Sequence, residues 1–100
     1  MTEYKYKEWT GYLEHCKYQL GGICLKLMDS SDGGPIITFT KYVESEFGDP
    51  YKLQNDELAI KNYSENEGAY TWLIDNNIIS PFHRLINNGF AVFPICRLKV

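Results

Sequence analysis

Long apolar runs are missing from this chain. No stretch approaches the roughly twenty consecutive apolar residues that a membrane-spanning helix needs, and the opening MTEYKYKEW holds no apolar segment of the signal-peptide kind. The expectation is a soluble, cytoplasmic protein with no membrane contact. Cysteine is scarce as well: Cys16, Cys24 and Cys96 are odd in number and show no close C-x-x-C spacing. That argues against a disulfide framework or a zinc knuckle and leaves buried or half-buried thiols as the plain reading. A basic stripe is absent, so direct nucleic-acid binding, which must neutralise phosphates, is not expected. Gly21-Gly22 and Gly33-Gly34 are followed by neither Lys-Ser/Thr nor a helix, which makes them turns and not phosphate cradles. There is no internal repeat and no low-complexity tract.

What is present is apolar and aromatic. A hydrophobic share of 44% with eight Tyr, five Phe and two Trp in 100 residues is the composition of a folded chain and not of a disordered one. The length predicts one domain over residues 1–100. The net charge of −3 is unevenly spread. Residues 1–43 carry five charges of each sign. From 44 to 75, Glu44, Glu46, Asp49, Asp56, Glu57, Glu65, Glu67 and Asp75 face only Lys52 and Lys61, a local balance of −6. Residues 76–100 hold Arg84, Arg97 and Lys99 with no carboxylate.

The strongest local signal lies at Leu58 to Ile79. Ser64 and Glu67 match a capping box, predicting a helix that starts there with Glu65 and Glu67 in its first turn, favoured by the helix dipole. Ala69, Trp72 and Leu73 recur at the spacing of one buried helical face, and Asn76-Asn77 offers a left-handed stop. Upstream, residues 4–16 read as one long strand or a strand broken at Gly11. Ile23, Leu25 and Leu27 alternate with Cys24, Lys26 and Met28 as a strand with one apolar face. Asp29 to Gly34 is concentrated turn chemistry leading to a third strand over Pro35 to Val43. Residues 44–57 form a long acidic loop with Phe47, Tyr51 and Leu53 as packing residues, followed by a short strand at Leu58 to Lys61. After the helix come strands at Phe82 to Ile86 and Phe90 to Val100, joined across Asn87-Asn88-Gly89, with Pro94 suggesting an edge or a bulge. The predicted architecture is α+β: a twisted, mostly antiparallel sheet of about five to six strands with one helix packed on one face.

The run IKNYSENEGAYTWLIDNNII, with the downstream Asn-Gly-Phe and Phe-Pro-Ile-Cys-Arg-Leu, resembles a family of small uncharacterised proteins of gut-bacterial plasmids, conjugative elements and phages. The likeness covers about residues 22–98, with Ser64, Glu65, Asn66, Glu67 and Gly68 its specific part; the long acidic loop departs from the pattern. The family brings no activity with it. It implies a mobile-element setting, in which small acidic proteins often bind and block host defence machinery.

Catalytic readings are weak at this level. His15 adjoins Cys16, but neighbours on a strand point to opposite faces. Two His and three Cys have no zinc spacing, and Glu65 and Glu67 are explained by capping. No cofactor, metal or enzymatic activity is expected. The acidic middle predicts a partner-binding surface made of Glu44, Glu46, Asp49, Tyr51, Asp56, Glu57, Tyr63, Glu65, Glu67 and Tyr70. It suits the basic groove of a host nucleic-acid-handling protein such as a CRISPR effector. A small-ligand or enzymatic pocket between sheet and helix, and a partner that completes an assembly through an edge strand, are the other readings; a homodimer is compatible with each.

Overall fold

The alternation at Ile23–Asp29 becomes the strand around which the first sheet is built. The computed structural model describes residues 2–18, 22–41, 53–87 and 91–100. Among them the first four strands are β1 (Glu3–Tyr6), β2 (Trp9–Lys17), β3 (Ile23–Asp29) and β4 (Pro35–Thr38), an antiparallel meander in the order β1-β2-β3-β4. Its inner face carries Ile23, Leu25 and Leu27, all buried. The break in the first segment falls at Lys7-Glu8, where Lys7 adopts φ 53°, and not at Gly11. Gly11 lies inside β2 opposite Tyr4 and Asp29, and a Cβ there would stand 2.2 Å from the Met28 carbonyl oxygen. The β3–β4 turn is held by Asp29, whose Oδ1 accepts from the Ser31 amide and hydroxyl, and by Asp32, whose Oδ1 accepts from the Gly34 amide.

A second sheet has the order β5-β7-β6, built from β5 (Glu57–Ala59), β6 (Arg84–Asn87) and β7 (Val92–Arg97), again antiparallel. Among the described residues the expected single sheet is thus divided into sheets of four and three strands, mostly antiparallel, with one short α-helix. Pro94 is neither at an edge nor at the strand's end, because β7 is the central strand. Its carbonyl accepts from the Ile60 amide at 3.0 Å, but proline has no N–H to return to Ile60, so the β5–β7 ladder stops there. The chain then passes to the first sheet: Thr40 and Ile60 form an antiparallel bridge, closed by Lys41 N–H to Ala59 O and Lys61 N–H to Phe39 O.

The helix, α1 (Ala69–Asp75), begins four residues later than the capping box predicts. Ser64 sits at φ 54°, outside the extended conformation an N-cap needs, and heads a single 3-10 turn, Ser64–Asn66. Two long-range contacts decide this. The buried Asn66 carboxamide donates to the Thr38 carbonyl at 2.8 Å, and the Asn62 side chain accepts from the Tyr70 amide at 2.9 Å, acting as the helix cap from outside it. Gly68, at φ 87°, makes the left-handed step between turn and helix. No acidic residue lies in the first helical turn, so the expected dipole role of Glu65 and Glu67 is lost. The other end follows expectation: Asn77 adopts φ 59°, with Ile78 N–H to Leu73 O and Asn77 N–H to Ile74 O, the two bonds of a Schellman motif.

Ala69 and Leu73 point into the main core with Leu25, Leu27, Phe39, Leu58, Ile60, Ile78 and Ile79. Burying a side chain such as Leu73 contributes about 2 kcal/mol. Trp72 closes that core at the helix rim. It stacks on Phe39 with ring centroids 5.4 Å apart, takes Tyr6 and Tyr4 edge-on at 5.1 and 6.0 Å, and donates from Nε1 to the Lys5 carbonyl. A smaller core lies on the second sheet: Leu53, Ala59, Ile86, Phe93 and Ile95.

Candidate functional site

Strand alternation places Glu57 and Ala59 of β5, Phe93, Ile95 and Arg97 of β7, and Arg84 and Ile86 of β6 on one face of the second sheet. The apolar members make the smaller core and the polar members gather at its end. Glu57 is buried, with 3% of its side chain exposed. Its Oε1 accepts from the Gln54 amide at 2.8 Å and from Arg84 Nη2 at 3.0 Å, and its Oε2 meets His83 Nε2 at 2.5 Å. Burial pushes the Glu57 carboxyl up, but the Gln54 amide, His83 and Arg84 together outweigh it and hold the group below its ordinary value. Glu57 is therefore ionised near neutrality. A carboxylate only accepts, so His83 presents a protonated Nε2 to it. Beside this pair, Arg97 Nη1 lies 2.8 Å from both carboxylate oxygens of Asp56.

His83 and Arg84 keep about a third of their side-chain surface in water, 34% each. An imidazole held by a buried carboxylate has the orientation a general base needs. Two concavities are described elsewhere, about 220 Å³ bounded by Thr2, Tyr4, Leu13, His15 and Val100, and about 190 Å³ bounded by Tyr6, Lys7, Trp9, Ile36 and Ile37. Neither includes Glu57 or His83. Among the described residues no group of three or more His, Cys, Asp or Glu is arranged to hold a metal.

Comparison with protein-family models, with curated proteins and with solved structures finds no match. The chemistry of the residues themselves carries the reading.

Of the residues expected to form one acidic surface, the described ones have different surroundings. Glu44, Glu46, Asp49 and Tyr51 lie outside the described residues, as does the side chain of Glu65. Glu57 faces inward, a correction to its expected exposure, because strand alternation sends it to the covered face where Arg84 and His83 neutralise it. Asp56 is exposed but engaged by Arg97. Tyr63 is half-buried, edge-on to Phe93 at 5.9 Å and under Lys61 Nζ at 5.6 Å from its ring centroid. Glu67 is exposed. Tyr70 is half-buried, its ring 6.0 Å from the exposed Phe82 and its hydroxyl accepting from the Phe82 amide. The thiols also divide: Cys24 and Cys96 are buried, but Cys16 is exposed, against the expectation of uniformly sheltered cysteines. Burial alone pushes Cys96 up to about 12, which keeps it a thiol.

Missed at the sequence level were His83, Arg84 and Arg97 as partners of the Asp56-Glu57 pair. The available signal was His83-Arg84 directly after Pro81-Phe82, a basic dipeptide in a region with no carboxylate of its own.

Proposed function

We propose that this chain is a non-enzymatic protein-binding module that takes a basic partner surface through its acidic middle. The observation that carries the reading is the charge of residues 44–75, eight carboxylates against Lys52 and Lys61, a balance of −6, of which the described residues engage Asp56 with Arg97 and Glu57 with Arg84. An aromatic pair, Tyr70 with the 47% exposed Phe82, offers a short-range anchor near the start of the helix. In the mobile-element setting that the resemblance implies, the partner is a host defence protein that handles nucleic acid, and the effect of binding is inhibition through a groove normally filled by phosphates.

Affinity capture at low salt from a bacterial lysate tests this. The wild-type chain is expected to retain a basic protein that the Glu44→Lys, Glu46→Lys, Asp49→Lys triple variant releases, with retention falling as salt rises through the range where the Debye length drops below roughly 8 Å. A partner retained equally by both proteins and insensitive to salt overturns the acidic-surface reading.

The Glu57–His83 geometry favours a second reading, an acid-base catalyst whose base is His83. It ranks second because neither concavity described reaches the dyad.

A further inference from the structure

We propose that Cys16 and Cys24 form a reversible dithiol-disulfide modification site, oxidised by low-molecular-weight disulfides of the glutathione class. The two residues are direct partners across β2 and β3. The Tyr18 amide donates to the Gly22 carbonyl at 3.0 Å, and since hydrogen-bonded pairs repeat every second residue of an antiparallel ladder, Cys16 and Cys24 form such a pair as well. Opposed residues of this type stand about 5.5 Å apart at Cα, inside the roughly 4.4 to 6.8 Å window that a disulfide spans. As direct cross-strand partners, their side chains share one face.

The two thiols are unequal in the way such chemistry requires. Cys16 is exposed and meets the oxidant; Cys24, 7% exposed, is sheltered beside it on the same face. In the first step the Cys16 thiolate attacks one sulfur of the oxidant RSSR, forming Cys16-S-S-R and releasing one thiolate RS⁻. In the second, Cys24 loses its thiol proton to solvent and its sulfur attacks the Cys16 sulfur, forming the Cys16–Cys24 bond and releasing the second RS⁻. Two thiols are oxidised and one disulfide is reduced, so two electrons leave the protein. Some loss of water around the Cys16 sulfur, with the Cys24 thiol beside it, pushes Cys16 above its ordinary value, and Lys26 pulls the other way. The reaction is therefore slow at neutrality and quickens with pH.

The position gives the bond a consequence. Next to Cys24, the Leu25 amide donates to Thr40 Oγ1, which shares a hydrogen bond of 3.3 Å with the Tyr18 hydroxyl, and Thr40 bridges to Ile60, where the two sheets join. Oxidation ties β2 to β3 beside that junction.

The test is mass spectrometry of the native protein incubated with oxidised glutathione, quenched with acid and digested with trypsin. Cleavage after Lys17 parts the two cysteines, so only a covalent bond keeps them in one ion. The expected result is a Cys16–Cys24 linked peptide pair, lost on reduction, with Cys96 unmodified and the rate rising roughly tenfold per pH unit in the neutral range. Cys24→Ser is expected to stop at a glutathione adduct on Cys16. A wild-type protein that accumulates the same adduct without closing, or that links either cysteine to Cys96, overturns the proposal, as does a wild-type protein left unmodified.

Discussion

His83 and Glu57, 26 residues apart in the chain, meet through Nε2 and Oε2 at 2.5 Å, and with Arg84 they hold a buried carboxylate at the end of the second sheet's small core. An acid of the acidic middle is thus withdrawn from the surface by its own sheet. Its burial is tolerated because each carboxylate oxygen has a partner.

Glu57→Gln removes the charge while keeping the shape. Breaking a buried ion pair costs several kcal/mol when both partners are sealed; His83 and Arg84 retain water, so a loss on the order of 2 kcal/mol is expected. The denaturation midpoint in urea checks it. The pH dependence has a definite sign. Because the folded-state value of Glu57 lies below the ordinary 4.5, its contribution is complete above that pH and is lost as pH falls through the folded value. The gap in stability between wild type and Glu57→Gln is expected to narrow as pH falls below about 4.5, the unfolded reference. A gap that stays unchanged down to pH 2 would show that Glu57 is not the titrating group.

Asn62→Ala is expected to destabilise by about 1 kcal/mol, since the Asn62 side chain accepts from the Tyr70 amide at the start of α1. Ser64→Ala should change the midpoint by well under half that, roughly the size of ordinary surface substitutions, because Ser64 makes no side-chain cap bond. Equal losses in the two variants would contradict the observed helix start.

Gly11→Ala brings a methyl group to 2.2 Å from the Met28 carbonyl oxygen and 3.1 Å from Leu27 Cγ. Backbone cannot yield as a flexible side chain does, so β2 must shift against β3. A loss of roughly 1 to 3 kcal/mol is expected, the usual scale of overpacking, measured by thermal or chemical unfolding. A midpoint equal to wild type would require a different approach of these strands.

Tyr6→Phe tests the aromatic core. The Tyr6 ring packs edge-on against Phe39 and Trp72, while its buried hydroxyl has no hydrogen-bond partner among the described residues. Removing an unsatisfied hydroxyl while keeping the ring should leave stability unchanged or raise it by up to about 1 kcal/mol. A clear loss would mean that the hydroxyl is bonded in solution.

Local patterns were legible wherever neighbours in sequence are also neighbours in space. The alternation of Ile23, Leu25 and Leu27 set the buried face of β3, Asp29 to Gly34 made its turn, and Asn77 stopped the helix, since each depends on backbone preferences over a few residues. Tertiary contacts decided the rest. Ser64 and Glu67 satisfy the capping pattern, but Asn66 is drawn to the Thr38 carbonyl across 28 residues, which commits the chain to a 3-10 turn and delays the helix to Ala69. Pro94 reads as an edge or a bulge, and β7 is not an edge but central, because a proline at an interior position costs one ladder bond and the ladder can end beside it. The charge balance of residues 44–75 could be counted from the sequence, whereas the sheltering of Glu57 could not. Whether a carboxylate faces water or an arginine depends on which strand lies opposite, and strand order is set by long-range pairing, which no local preference encodes.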